Sequence, residues 1–145
     1  MRLFLDANVL FSAAHRDTGS VRIFFRLAAA GACELVSSPY AIDEARRNIA
    51  RKYPERLVDL EALVGRLAIC VEATPDNTAW AATYRLPVKD APVLAAAVQA
   101  GAALLVTGDQ KDFGHLYGQT LRGTQVLPPV AAIEWIIAGK RKAPG

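Results

Sequence analysis

Four short stretches set a carboxylate at the edge of an apolar run: Asp6 in "RLFLDANVLF", Glu44 in "SSPYAIDEARRNI", Asp90 in "VKDAPVLAAAV", and Asp109 with Asp112 in "LLVTGDQKDF". Brought together, such groups repel one another and raise each other's pKa. A divalent cation removes that cost, and all-oxygen ligation selects hard ions, so one or two Mg²⁺ or Mn²⁺ ions are the expected cofactor. The chemistry open to such a centre is activation of water for hydrolysis. His15 and His115 stand apart, and Cys33 and Cys70 lack the paired spacing of a zinc or redox site. The two thiols are expected to be free and buried.

Each acid also has a local explanation. Asp90, ahead of Pro92 and an Ala-rich run, suits a helix N-cap, a role worth about 1 kcal/mol. Asp109 and Asp112 suit a turn after Gly108, and Glu44, like Asp43, suits the first turns of a helix. Asp6 is harder to account for, because a carboxylate flanked by "RLFL" and "ANVLF" lies close to the core and needs a cation or several donors there.

The elements that must position these acids follow from the alternation of short apolar runs with helical patterns, which predicts an α/β chain of parallel strands joined by crossover helices. Strand one covers Leu3 to Leu5 and is followed, after a loop, by a helix over Ser20 to Ala30. "CELVS" is strand two. Ser38 caps and Pro39 opens a helix that Pro54 separates from a second over "ERLVDLEALVGRL". "AICVEA" is strand three, Asp76 begins the helix "DNTAWAATYRL", and a helix from near Asp90 ends at Gly101. "ALLVT" is the strongest buried strand, "TQVL" a short fifth, and "PPVAAIEWIIAG" the last helix; positions 138–145 form a basic tail expected to fray. In such a sheet ligands bind outside the carboxyl ends of the strands. Asp6 and Asp109 follow strands one and four, while Asp90 and Glu44 open helices that start on the same rim.

At 145 residues and 52% apolar content the chain suits a single domain over 1–145 with one sizeable core. The longest apolar runs are broken by Gly or Gln and fall short of a membrane span, and the N-terminus carries Asp6 within its apolar run and no cleavage site, so the expected location is the cytoplasm, with no membrane partner. A net charge of +3 agrees with a polyanionic partner without requiring one.

Taken in order, the four stretches resemble the PIN-domain family of metal-dependent ribonucleases, in particular the VapC-like toxin components of bacterial toxin–antitoxin pairs. "FLDANVLFSA" is similar to the family's opening strand and Asp-x-Asn motif, which makes Asp6 a metal acid and Asn8 its support. "SSPYAIDEARRNI" resembles the second motif and selects Glu44 over Asp43. "VKDAPVLAAAVQAGA" supplies Asp90, and "LLVTGDQKDF" supplies Asp109, with Asp112 as an additional acid and Thr107 as a supporting residue. The resemblance implies a three-layer α/β/α fold around a parallel sheet of about five strands. It also implies hydrolysis of RNA phosphodiesters, a homodimer and an antitoxin partner that inserts a basic side chain among the acids.

An acidic centre needs positive charge around it to hold a phosphate backbone. Arg46, Arg47, Arg51 and Lys52 in "RRNIARKYPER", with Lys89 and Lys111 beside two of the acids, are the candidate RNA contacts; a solvated helix face explains the run equally well. Tyr40 and Tyr53 are candidates for base stacking or for packing, and Trp135 for a dimer face or for the core. Two other classes fit part of the pattern. A PIN-like module that binds RNA or protein without turnover would keep the fold. A phosphoaspartyl phosphatase or receiver domain would use Asp6 as nucleophile or phosphoacceptor, but the phosphatase motif wants an acid where Asn8 stands, and a receiver wants an acidic pair before its acceptor strand.

Overall fold

The computed structural model describes residues 1–16 and 19–142, the last three as backbone only. Strand residues alternate between the two faces of one sheet and so divide the core in two. The strands are β1 (Arg2–Leu5), β2 (Glu34–Ser37), β3 (Ala68–Ile69), β4 (Leu104–Val106), β5 (Thr120–Leu121) and β6 (Thr124–Leu127), in spatial order β3-β2-β1-β4-β6-β5. The first five in that order run parallel, and only β5 is antiparallel, paired to β6. Leu3, Leu5, Leu104 and Val106 face one side, packed by α1 (Ala7–His15), α2 (Ile23–Ala29), α3 (Pro39–Lys52), α4 (Leu57–Val64) and α8 (Pro129–Lys142). Phe4, Val36, Leu105 and Val126 face the other, against α5 (Pro75–Ala82) and α6 (Ala91–Gln99), with Phe113 of the short α7 (Gln110–Phe113) closing one end. The result is three α/β/α layers.

Several expectations are corrected. The segment after β1 is a helix rather than a loop: Val9, Leu10, Ala13 and Ala14 bury one face of α1, and Asp6 itself caps it, so no turn separates strand from helix. Strand three shrinks to Ala68–Ile69, because its neighbour β2 ends at Ser37 where the chain turns into α3; one further bond, Cys70 N–H to the Ser37 carbonyl, extends the pairing. α5 starts earlier than Asp76, with Pro75 in its first turn and the Thr74 hydroxyl accepting from the Asn77 N–H at 3.2 Å. The sixth strand arises from a tight hairpin in which Arg122 and Gly123 both adopt positive φ. Cys33 and Cys70 are free but only half-buried. The last helix runs to Lys142, well into the segment expected to fray; positions 143–145 lie outside the described residues. Trp135 is not taken into the core and is 39% exposed. No helix among the described residues is long and apolar enough to cross a membrane.

Candidate metal centre

The parallel pairing of β1 with both β2 and β4 places their carboxyl ends side by side, and the acids meet there. The Asp6 N–H donates to the Val106 carbonyl at 3.0 Å, and the buried Ser37 hydroxyl donates to the Leu5 carbonyl at 2.8 Å, which locks the three strand ends together. Ser38 then caps α3, accepting from the Ala41 N–H at 3.2 Å, with Pro39 in the first turn. That start aims Glu44, and Asn48 one turn later, into a cleft of about 220 Å³ also lined by Asp6, Asn8, Asp90 and Asp109. Asp43 turns away and pairs with Arg46 at 3.3 Å.

Asp6 is 4% exposed. One of its oxygens accepts from the Ala7 N–H at 2.7 Å, and the other from Asn8 Nδ2 at 3.0 Å and the Thr107 hydroxyl at 2.8 Å. Burial outweighs these donors and, with Glu44 nearby, pushes the carboxyl up to about 6. Thr107, fully buried, joins the groups around it, since its oxygen also accepts from the Asp109 N–H at 3.2 Å. Asn8 reaches across in turn, its Oδ1 accepting from the Gly108 N–H at 2.8 Å. A Cβ at position 108 would stand 3.2 Å from that oxygen, so the glycine admits the close approach.

Asp90 is 6% exposed and sits at the start of α6, yet its side chain makes no capping hydrogen bond. Its Oδ2 is buried without a partner, so the capping explanation fails. Burial first, and then a hydrogen bond shared with Asp112, push Asp90 up to about 7; the same contact draws Asp112 below the usual carboxylate range. The carboxylates of Asp90, Asp109 and Asp112 present oxygens all within 4.8 Å of one another. Asp109 does have a local role as the N-cap of α7, accepting from the Asp112 N–H at 3.1 Å. Asp112 faces Lys89 Nζ at 3.4 Å and lines a neighbouring cleft rather than that of Asp6.

The all-oxygen donor set, the unpartnered Asp90 oxygen and two carboxyls whose pKa burial raises fit a hard divalent ion, which would replace the missing counter-charge. Asp90, Asp109 and Asp112 stand close enough together to share such an ion, and Asp6 and Glu44 line the same cleft as Asp90 and Asp109 without joining that group among the described residues. Sequence reading missed Asn48, although its spacing of four from Glu44 on one helix puts both on one face.

The candidate RNA contacts are less uniform. Arg46 is engaged bidentately by Glu61 at 2.6 and 3.1 Å, Arg51 by Asn48 at 3.4 Å, and Lys52 lies 5.4 Å over the Phe11 ring. Arg47 and Lys111 are exposed, and neither makes an ion pair among the described residues. The two tyrosines have packing partners: the Tyr40 hydroxyl donates to the Lys89 carbonyl at 2.7 Å, tying α3 to the loop that carries Asp90, and Tyr53 stacks on His15 at 4.6 Å.

Solved structures share the fold at low identity. VapBC2 from Rickettsia felis, solved with a DNA fragment from its promoter, is similar with a TM-score of 0.66 and 17% identity, over 88% of this chain and 98% of that one. PAE2754 from Pyrobaculum aerophilum is similar with a TM-score of 0.68 and 15% identity, over 95% and 96%. VapC20 of Mycobacterium tuberculosis, described as a Sarcin-Ricin loop cleaving toxin, is similar with a TM-score of 0.56 and 16% identity, over 75% and 91%. No curated protein matches the chain in sequence. The PIN domain family model matches residues 2–111, which contain all the acids of the cleft, and on that match the chain belongs to the PIN-domain family.

Proposed function

We propose that this chain is a divalent-metal-dependent ribonuclease that hydrolyses RNA phosphodiester bonds, and that it acts as the toxin of a toxin–antitoxin pair. The observation that carries the reading is the convergence of Asp6, Glu44, Asp90 and Asp109, from four separate stretches, on one cleft in which a buried Asp90 oxygen lacks a partner. The pairing with an antitoxin has the support of similar structures, VapBC from Salmonella typhimurium and FitAcB from Neisseria gonorrhoeae among them, and is the finer part of the proposal.

In this reading Asp6, Asp90 and Asp109 would hold the ion, with Glu44 joining directly or through water. A bound Mg²⁺ or Mn²⁺ would supply Lewis acidity and a lowered pKa for a water there. Thr107 and Asn8 fix the Asp6 carboxylate and keep its orientation against the strand ends. Glu44 is half-buried and accepts no hydrogen bond from the described residues, which leaves it free to take a proton from the water. The overall reaction adds one water across a P–O bond, leaving a phosphate monoester and a hydroxyl.

The test is incubation of purified protein, freed of any partner, with structured and unstructured RNA in Mg²⁺, in Mn²⁺ and in chelator. Asp109→Asn is the sharpest control, because Asn caps a helix as well as Asp and removes only the charge. Cleavage that requires metal and falls by at least about tenfold in this variant is expected, since losing a metal ligand should cost no less than losing an outer-shell partner. Silence of the wild type across total cellular RNA would reject the nuclease and favour a module that binds without turnover.

A further inference from the structure

Beside the acidic cleft lies a second one of about 320 Å³, lined by Arg85, Pro87, Lys111, Asp112 and His115. Asp112 is the wall between the two: it lines this cleft, and its carboxylate belongs to the cluster with Asp90 and Asp109. Its negative charge is answered from elsewhere by Lys89 at 3.4 Å. Arg85 and Lys111 are both exposed, and among the described residues neither has an ion pair or a side-chain hydrogen bond. The cleft is therefore cationic beside a centre that is anionic.

Arg85 stands on an unusual mount. Its φ is 57°, a left-handed conformation that glycine adopts freely and a long side chain only at a cost. The surrounding structure imposes it. Leu86 is buried in the core, Trp80 meets Tyr84 edge-on at 5.3 Å, and His115 Nε2 donates to the Tyr84 carbonyl at 2.7 Å. A carbonyl can only accept, so Nε2 carries the proton, and Nδ1 has no partner among the described residues. The turn at Arg85, the short α7 that carries Lys111 and the 3₁₀ turn after it that carries His115 thus hold a guanidinium, an ammonium and an imidazole around one opening, with Pro87 the one apolar residue of the lining.

We infer that this second cleft is a phosphate subsite, in which Arg85 and Lys111 each engage a phosphodiester of the same RNA strand next to the one cut at the acidic centre, while His115 holds the turn that carries Arg85. The inference rests on the ribonuclease reading. It names Arg85, a cation that sequence reading passed over, together with Lys111, ahead of the α3 run, where Arg46 is already engaged by Glu61. Such contacts position the strand and carry no base specificity.

The experiment measures binding of a fluorescein-labelled single-stranded RNA oligonucleotide of mixed sequence to Asp109→Asn protein in Mg²⁺, as a function of salt, with and without Arg85→Gln and Lys111→Gln. The double substitution is expected to weaken binding about tenfold at low salt and to reduce the slope of log Kd against log salt by about 1.4, the value for two phosphate contacts on a single strand. In the cleaving protein it raises KM and leaves kcat near its original value. Arg26→Gln, an exposed cation on α2, should leave the slope unchanged. If the double variant fails to fold, Lys111→Gln alone should give about half the slope change. An unchanged Kd and slope, with wild-type protein still cutting RNA, would overturn the subsite and leave the nuclease standing. A wild type that neither cuts nor binds the RNA would remove both.

Discussion

Burial leaves Asp90 with one carboxyl oxygen that meets no donor, and its pKa stands near 7 where an exposed aspartate has 3.8. Asp6 moves the same way, to about 6. For a raised acid the folded state holds its proton after the unfolded state has lost it, so stability is highest below pH 3.8 and falls as pH rises to about 6 to 7. Asp90→Asn removes the larger of the two contributions, and an amide there can still donate to Asp112. Urea unfolding in chelator should show this variant more stable than wild type by about 1–3 kcal/mol at pH 8, with the gap closing at acid pH. Divalent cation should reverse the order by stabilising only the protein that binds it. A wild type at least as stable as the variant at pH 8 without metal would contradict the picture of a buried, uncompensated charge. Thr107→Val tests the support around Asp6. Its hydroxyl is a donor at 2.8 Å in a buried site, so metal affinity should fall about 10–100-fold by calorimetric titration while the fold persists.

At the scale of elements, the rim depends on where each helix begins. Ser38 and Pro39 start α3 so that Glu44 and Asn48 face the cleft and Asp43 faces Arg46. Ser38→Ala should cost about 1 kcal/mol in urea unfolding and leave the cleft without a fixed Glu44; a change below about 0.3 kcal/mol would mean that packing of Ile42, Ala45 and Ile49 alone sets the helix start. Much of this arrangement is readable in the sequence, because Ser-Pro before a helical apolar period and Gly after one are strong local signals. α1 is the informative exception. Asp6 ends a strand, caps a helix and faces the cleft at once, so no turn residue marks the change of period. β3 is short for a reason no local pattern carries: its neighbour in the sheet turns away.

At the scale of the molecule, β4, like β1 beside it, feeds both halves of the core, with Leu104 and Val106 on one side and Leu105 on the other. Leu105→Ala should therefore cost about 2–5 kcal/mol, a large share of the 5–15 kcal/mol typical of a domain. The acids themselves were found from sequence because each lies at the carboxyl end of a strand or the start of the following helix. The second cleft was not. It depends on a strained turn at Arg85 and on His115 reaching back to Tyr84 across 31 positions, neither of which leaves a periodic signal. The central claim is that the chain cuts RNA with water activated at the acidic cleft, and the chemistry of the product ends tests it most directly. Mapping the ends left after cleavage in Mn²⁺ should show a linear phosphate monoester on one fragment and an ordinary hydroxyl on the other, with no cleavage in chelator. Fragments ending in a 2′,3′-cyclic phosphate, the mark of attack by the RNA's own 2′-hydroxyl, or cleavage that persists without metal, would contradict it.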